Sequence, residues 1–330
     1  MELNWEEWKA WKKSLRRHLG VPGWTLLIYY GMLNVSFFLW MLVETLMLAW
    51  DQLLFGDFAA LESAFYQASE SGWGYFPPAV LGLVILLLWK KPKFWKEQIW
   101  ARGKPMEFGG FFCILSVFLG GQVLSQIALM LLETILNGFD LTILEGLEAL
   151  SPNTDSLSMF LYAGLLAPIA EELLFRGLIQ RSMMPYGRNF AIFVSAFTFG
   201  LFHGNLVQTP FAFLVGLVLG YVAAEYSIGW SMLLHMINNL VVADALNRLT
   251  FHLPIEIAGM IIWGILFAFA VVGVVVLFRK RGYLRDWLAC EPINRTYMGC
   301  YFTSGGTILF SLVMVATMIV TMFSLITPLR

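Results

Sequence analysis

Long apolar runs separated by short polar joints dominate this chain, and they leave its backbone few options. In hydrocarbon every peptide N–H and C=O must find a partner within the protein, which only helices and closed barrels achieve. A helix needs about 20 apolar residues to cross the ~30 Å core of a bilayer. Runs of this kind recur at 24–49, 76–92, 108–137, 158–183, 189–208, 209–226, 229–247, 255–278 and 303–328. The pattern predicts an all-α fold, a polytopic membrane helix bundle of about nine transmembrane helices. Breakers fit these limits: Pro77 and Pro78 open the second run, Pro210 divides the fifth from the sixth, and Pro254 opens the eighth. Only 13% of the residues are charged, against about a quarter in a soluble domain. That deficit argues against a soluble enzyme and against nucleic acid as a partner.

The first residues have a different character. Trp5, Trp8, Trp11, Leu15 and Leu19 recur at helical spacing, opposed by Lys9, Lys12, Lys13, Arg16 and Arg17. Residues 1–22 are therefore expected to form an amphipathic interfacial helix, with indoles at headgroup depth and cations toward anionic membrane lipid. No cleavable signal peptide is expected, because residues 2–19 lack an apolar core. Cys113, Cys290 and Cys300 show no metal-ligand spacing and read as free thiols.

Charge sets the expected orientation. All of the 21 Lys and Arg except Arg248 and Arg330 fall on one side of the nine-span layout, while 51–75 and 138–157 contain acids and no base. Basic loops stay in the cytoplasm. The N-terminus is expected there and the C-terminus outside.

Against this background Glu171 and Glu172 stand side by side in an apolar run, with Arg176 one turn later. An ionised side chain in mid-bilayer costs roughly 3 kcal/mol and marks a functional site by default. Glu172 and Arg176 are i, i+4 in the favourable order and should pair, which turns Glu171 about 100° away, free to hold a water. Pro168, just before them, removes a ladder hydrogen bond. Two further runs carry polar residues with a partner on the same helix face, His203 with Phe199 and His235 with Asn239. Helical rise puts all of them at overlapping depths in the middle and cytoplasmic half of the bilayer. A lone His or Asn in such a helix usually only hydrogen-bonds a neighbour, for about 0.6 kcal/mol; three helices carrying such groups together favour a site. Glu225 and Asp244 read as helix-end residues, and Gly200, Gly204, Gly216 and Gly220 as points of close helix packing.

The three patterns, Glu171-Glu172-x-x-x-Arg176, Phe199-x-x-x-His203 and His235-x-x-x-Asn239, resemble the signature of the CAAX protease and bacteriocin-processing family. This is the CPBP or Abi family of intramembrane glutamic proteases, type II CAAX prenyl endopeptidase-like. The resemblance covers residues 158–245. It implies a metal-independent intramembrane endopeptidase that acts on a peptide or membrane-anchored protein and needs no cofactor. By resemblance, Glu171 and His203 hold and activate the attacking water. His235 and Asn239 stabilise the oxyanion, and Glu172, Arg176 and Phe199 support them. A His N–H and an Asn amide are donors suited to a developing negative oxygen.

The implied layout is an interfacial helix at 1–22, accessory helices at 23–106, a catalytic core at 107–280, and a cytoplasmic segment with the last helix at 281–330. A bacterial or archaeal plasma membrane is the expected location. Three other functions remain open: a non-proteolytic scaffold or immunity protein regulating a partner membrane protein, a zinc hydrolase and a transporter. Two His and a Glu are an acceptable zinc ligand set, although His-Glu-x-x-His is absent.

Overall fold

A computed structural model of the chain describes residues 4–70, 72–99, 103–150, 157–240, 250 and 252–329. Helix α1 (Trp5–Leu19) starts at a capping box, in which Asn4 Oδ1 accepts the Glu7 N–H and Glu7 Oε2 accepts the Asn4 N–H, each at 2.9 Å. Its apolar stripe is divided: Leu15 and Leu19 are buried in the bundle, while Trp5 and Trp11 stay exposed. Gly20 then joins it to α2 (Val21–Leu54).

There follow α3 (Ala60–Glu70), α4 (Phe76–Trp89), α5 (Pro92–Ile99), α6 (Phe108–Asn137) and α7 (Leu144–Leu150). The centre of the bundle is α8 (Leu157–Tyr186), α9 (Arg188–Phe202), α10 (Gln208–Glu225) and α11 (Ile228–Ile237). The chain closes with α12 (Ile255–Cys290), α13 (Arg295–Phe302) and α14 (Gly305–Leu325). A two-residue strand after α6 (β1, Leu141–Thr142) pairs antiparallel with one after α14 (β2, Thr327–Pro328).

Among the described residues each of the nine expected spans overlaps a helix, but not all of those helices can cross a bilayer unaided. Among the described residues six are long and apolar enough, and a seventh is added if the bent pair Ala60–Ala68 and Trp73–Trp89 counts as one span. The expected span at 189–208 shortens because α9 ends after 15 residues, a rise of about 22 Å, where Gly204 turns the chain at φ +57°. The end of the expected seventh span, with Asp244 and Arg248, lies outside the described residues. Helix α12 instead runs 36 residues, carrying the basic segment that follows 278 as helix.

Burial separates a core from a lipid-facing shell. Leu174, Phe175, Phe190, Phe199, Leu219 and Leu234 are all 2% exposed or less, whereas α12 and α2 present most of their apolar surface outward. Close approach in the core needs glycine. A Cβ on Gly216 would sit 3.1 Å from Ala196 Cα, and one on Gly220 2.9 Å from Ile192 Cγ2. The same device joins α6 to α12, where a Cβ on Gly120 would lie 2.8 Å from Ala270 Cα. Small residues let helices touch where lipid offers no hydrophobic drive.

Polar contacts gather at two opposite ends, in agreement with helices that alternate in direction. At one end Glu225 accepts from Lys104 Nζ at 2.6 Å and from Trp287 Nε1 at 2.8 Å. Arg188 stacks on Trp287, 3.7 Å from the ring centroid to Cζ, and lies 3.5 Å from Glu225. At the other end Glu133 accepts from Thr142 Oγ1 and the Ile143 N–H beside the β1–β2 pair. The Arg188 contacts are largely out of water and join three helices, so Arg188→Ala should lower stability by about 2 kcal/mol. Lys104 is solvent-exposed, and Lys104→Ala should cost less than about 1 kcal/mol. Thermal unfolding in detergent checks this; equal losses would contradict it.

Candidate active site

Two departures from α-helical winding shape α8. Residues Tyr162–Leu166 and Leu173–Gln180 wind as π-helix, on either side of the turn that carries Glu171 and Glu172. Within the first, the Ala167 N–H bonds to Tyr162 O, five residues back. The next donor in that register would be Pro168, which has no N–H. Ala163 O is thus freed, and Asn239 Nδ2 donates to it at 2.8 Å. The proline in one helix creates the acceptor that positions the asparagine of another.

Glu172 is the hub. It is fully buried, and Arg176 Nη1 lies 3.0 Å from its Oε1, the pairing expected from their spacing. Ser231 Oγ donates to Oε2 at 2.5 Å, and His235 Nδ1 donates to Oε1 at 3.0 Å. Arg176 Nη1 makes an ion pair rather than an aligned hydrogen bond, while Nη2 donates to Gly216 O at 3.3 Å. Its guanidinium lies over the Phe199 ring, Cζ 4.4 Å from the centroid. One turn on, Gln180 Nε2 donates to Gly220 O at 2.9 Å and Arg181 Nη2 to Ala223 O at 3.1 Å. These three side chains fasten α8 to the backbone of α10.

Glu171 behaves differently. Its side chain is 32% exposed, and its Oε2 lies 3.7 Å from His235 Nε2. It faces a cavity of about 340 Å³ lined also by Tyr29, Phe37, Tyr75, Tyr162 and Phe202. Phe37, Tyr75 and Tyr162 stack in sequence, with centroids 4.9 Å apart at each step. The lining is therefore largely aromatic, with Phe37 from α2, Tyr75 from the turn before α4 and Tyr162 from α8 itself.

The two histidines have assignable protons. A backbone carbonyl can only accept, so His203 Nδ1, 2.9 Å from Phe199 O, carries its hydrogen there and leaves Nε2 as an acceptor in the neutral ring. His235 Nδ1 likewise donates to Glu172, which turns the Nε2 lone pair toward Glu171. The Phe199 ring meets both imidazoles edge-on, with centroids 4.9 Å from His203 and 5.8 Å from His235. Among the described residues no ion pair or direct hydrogen bond joins His203 to Glu171. Phe202, adjacent to His203, lines the cavity that Glu171 faces.

The structure thus brings Glu171, Glu172, Arg176, Phe199, His235 and Asn239 into one polar centre, with His203 at its edge. Three contributors escaped the sequence reading. Ser231 is one turn before His235 on the same face. Asn238 donates from Nδ2 to Asn239 Oδ1 at 3.1 Å, and Gln122 of α6 donates to Asn238 Oδ1 at 2.7 Å. Gln122 is an amide inside an apolar run, a signal open to the same argument that singled out Glu171. Among the described residues no group of three or more His, Cys, Asp or Glu converges as a metal site.

Removing the charge of Glu172 leaves Arg176 buried without a counter-ion, so Glu172→Gln should destabilise the fold by roughly 3–5 kcal/mol. Glu171→Gln, partly exposed and without such a partner, should cost less than about 1 kcal/mol. Parallel melting of both variants measures the difference, and similar losses would contradict the division of labour between the two carboxylates.

No curated protein and no solved structure matches the chain. Residues 153–241 match the family model described as type II CAAX prenyl endopeptidase Rce1-like. The matched stretch holds the Glu-Glu-x-x-x-Arg, Phe-x-x-x-His and His-x-x-x-Asn patterns together, and over these residues the chain is similar to the Rce1-like CAAX endopeptidases, a family of membrane proteases.

Proposed function

We propose that the protein is a metal-independent glutamic endopeptidase, cleaving a peptide or membrane-anchored protein within the membrane. The observation that carries this reading is the contrast between the two neighbouring carboxylates. Glu172 is consumed by Arg176, Ser231 and His235, while Glu171 is left one-third exposed on the wall of a cavity. A general base must reach both water and substrate. Only Glu171 meets that condition.

In the proposed reaction Glu171 takes a proton from a water that His203 Nε2 helps to orient as hydrogen-bond acceptor. The water oxygen attacks the scissile carbonyl carbon, and a tetrahedral oxyanion forms. Asn239 has one amide N–H on Ala163 O, and its second is available to the oxyanion. Collapse breaks the C–N bond, and the proton held by Glu171 passes to the leaving amine. Each well-placed donor contributes about 3 kcal/mol in a dry site.

His235 fits the oxyanion role only with a qualification. Its Nδ1–H is committed to Glu172, so Nε2 donates only from the doubly protonated ring. A Gln side chain in its place would donate in one form at every pH. His235→Gln should therefore retain more cleavage than His235→Ala when the two are assayed side by side in detergent, and equal loss would contradict a donor role for this position.

The orientation inferred from basic residues puts the Glu225–Arg188 end in the cytoplasm, which supports a substrate reached from that face. The aromatic cavity suits an apolar substrate segment. The deciding experiment compares membrane peptidomes, and cleavage in detergent, for wild type, Glu171→Ala and His203→Ala. Activity should fall at least 100-fold in both variants. Unchanged cleavage in both would end the peptidase reading, and a cellular phenotype surviving Glu171→Gln would favour a regulatory scaffold.

A further inference from the structure

Away from the polar centre, α1 turns into α2 at Gly20, and α13 turns into α14 at Thr303–Ser304. The two turns meet. A Cβ on Gly23 would lie 2.3 Å from the Gly306 carbonyl carbon, and one on Gly306 2.2 Å from Gly20 O, so the backbones touch with no side chain between them. Above this contact lies a cleft of about 220 Å³, walled by Lys13, Arg16, Arg17, Trp24, Ser304 and Gly305. Helices α2 and α14 both begin here and run on as membrane spans. The cleft therefore opens at the level of lipid headgroups.

Its charge is one-sided. No carboxylate lines it, and among the described residues no ion pair involves Lys13, Arg16 or Arg17. The other two cations of α1 are engaged elsewhere, Lys9 with Glu6 at 3.1 Å and Lys12 over the Trp8 ring at 4.6 Å. Orientation in the membrane asks only that positive residues lie on this side, not that three of them converge on one cavity. Converging cations repel unless an anion joins them. Trp24 also lines the cleft, and apart from the Thr307 N–H, which Ser304 Oγ accepts, the first N–H groups of α14 have no acceptor within the helix.

We propose that this cleft binds the phosphate of an anionic membrane lipid. Guanidinium forks match phosphate oxygens in pairs, and Lys13 adds a point charge. The exposed Trp5 and Trp11 of α1 favour a lipid over a soluble anion, because they put the whole helix in the interface where such headgroups lie. The bound headgroup clips the surface helix to the start of the last span. This site stands apart from the peptidase chemistry, and either reading survives failure of the other.

The test uses the full chain in detergent, titrated with phosphatidylglycerol or phosphatidylcholine and followed by native mass spectrometry and thermal melting. Arg16→Gln/Arg17→Gln is compared with Lys9→Gln/Lys12→Gln, which removes the same charge from the same helix. The first pair should weaken phosphatidylglycerol binding about tenfold and abolish the rise in melting temperature that the lipid produces, and the second should change binding less than about twofold. Should the arginine variant not fold, Lys13→Gln is measured instead, with about threefold weakening expected. Equal weakening by both charge pairs means diffuse attraction and overturns the site. Equal binding of the two lipids overturns it as well. Competition by millimolar inorganic phosphate or glycerol 1-phosphate would assign the cleft to a soluble anion and overturn the lipid proposal.

Discussion

A fully buried carboxylate organises this bundle. Glu172 gathers Arg176 from its own helix and Ser231 and His235 from α11. An ionised group in a low-dielectric interior is tolerable only with such partners, and losing any of them leaves a charge that water cannot reach. The pairing consequently fixes more than one rotamer. It sets the register of α8 against α11, while Arg176, Gln180 and Arg181 set that of α8 against α10 through backbone carbonyls. The cost of an unpaired ion holds the polar centre together.

Around that hub the backbone is arranged as deliberately as the side chains. Pro168 releases a carbonyl that Asn239 takes up, and the α-helical turn between the two π-helical stretches points Glu171 and Glu172 about 100° apart. One carboxylate is tied into the structure; its neighbour is left to face the aromatic cavity. A chain of amides, Gln122 to Asn238 to Asn239, carries the same order out to α6. The peptidase reading rests on this asymmetry, since chemistry requires an acid or base whose remaining bonds are not already spent.

Much of this was legible in the residues. The Glu172–Arg176 pair followed from an i, i+4 spacing, and the nearness of Phe199 to His203 from another, because helical periodicity is a local property. Ser231 and Gln122 could have been found by the same rules, the first as a helix-face neighbour of His235 and the second as a polar group in an apolar run. The partner that His235 takes was not legible. Spacing along α11 says which face carries the imidazole, but the identity of the acceptor on α8 depends on how two helices cross. The count of nine spans is not confirmed for a related reason: hydropathy marks apolar helix, and α9 is apolar and covered by protein but short for a span.

By itself the sequence determined that the chain is helical, that it lies in a membrane, and that its polar groups sit at compatible depths. Those conclusions follow from solvent: hydrocarbon forbids open backbone and penalises isolated charge, and both constraints act on short stretches of chain. Only the tertiary structure decided which groups of α11 Glu172 takes as partners, which nitrogen of His235 carries its proton, and which basic residues share a cleft with the start of α14. Each of those depends on groups far apart in sequence meeting at hydrogen-bond distance, and no local pattern fixes such a meeting.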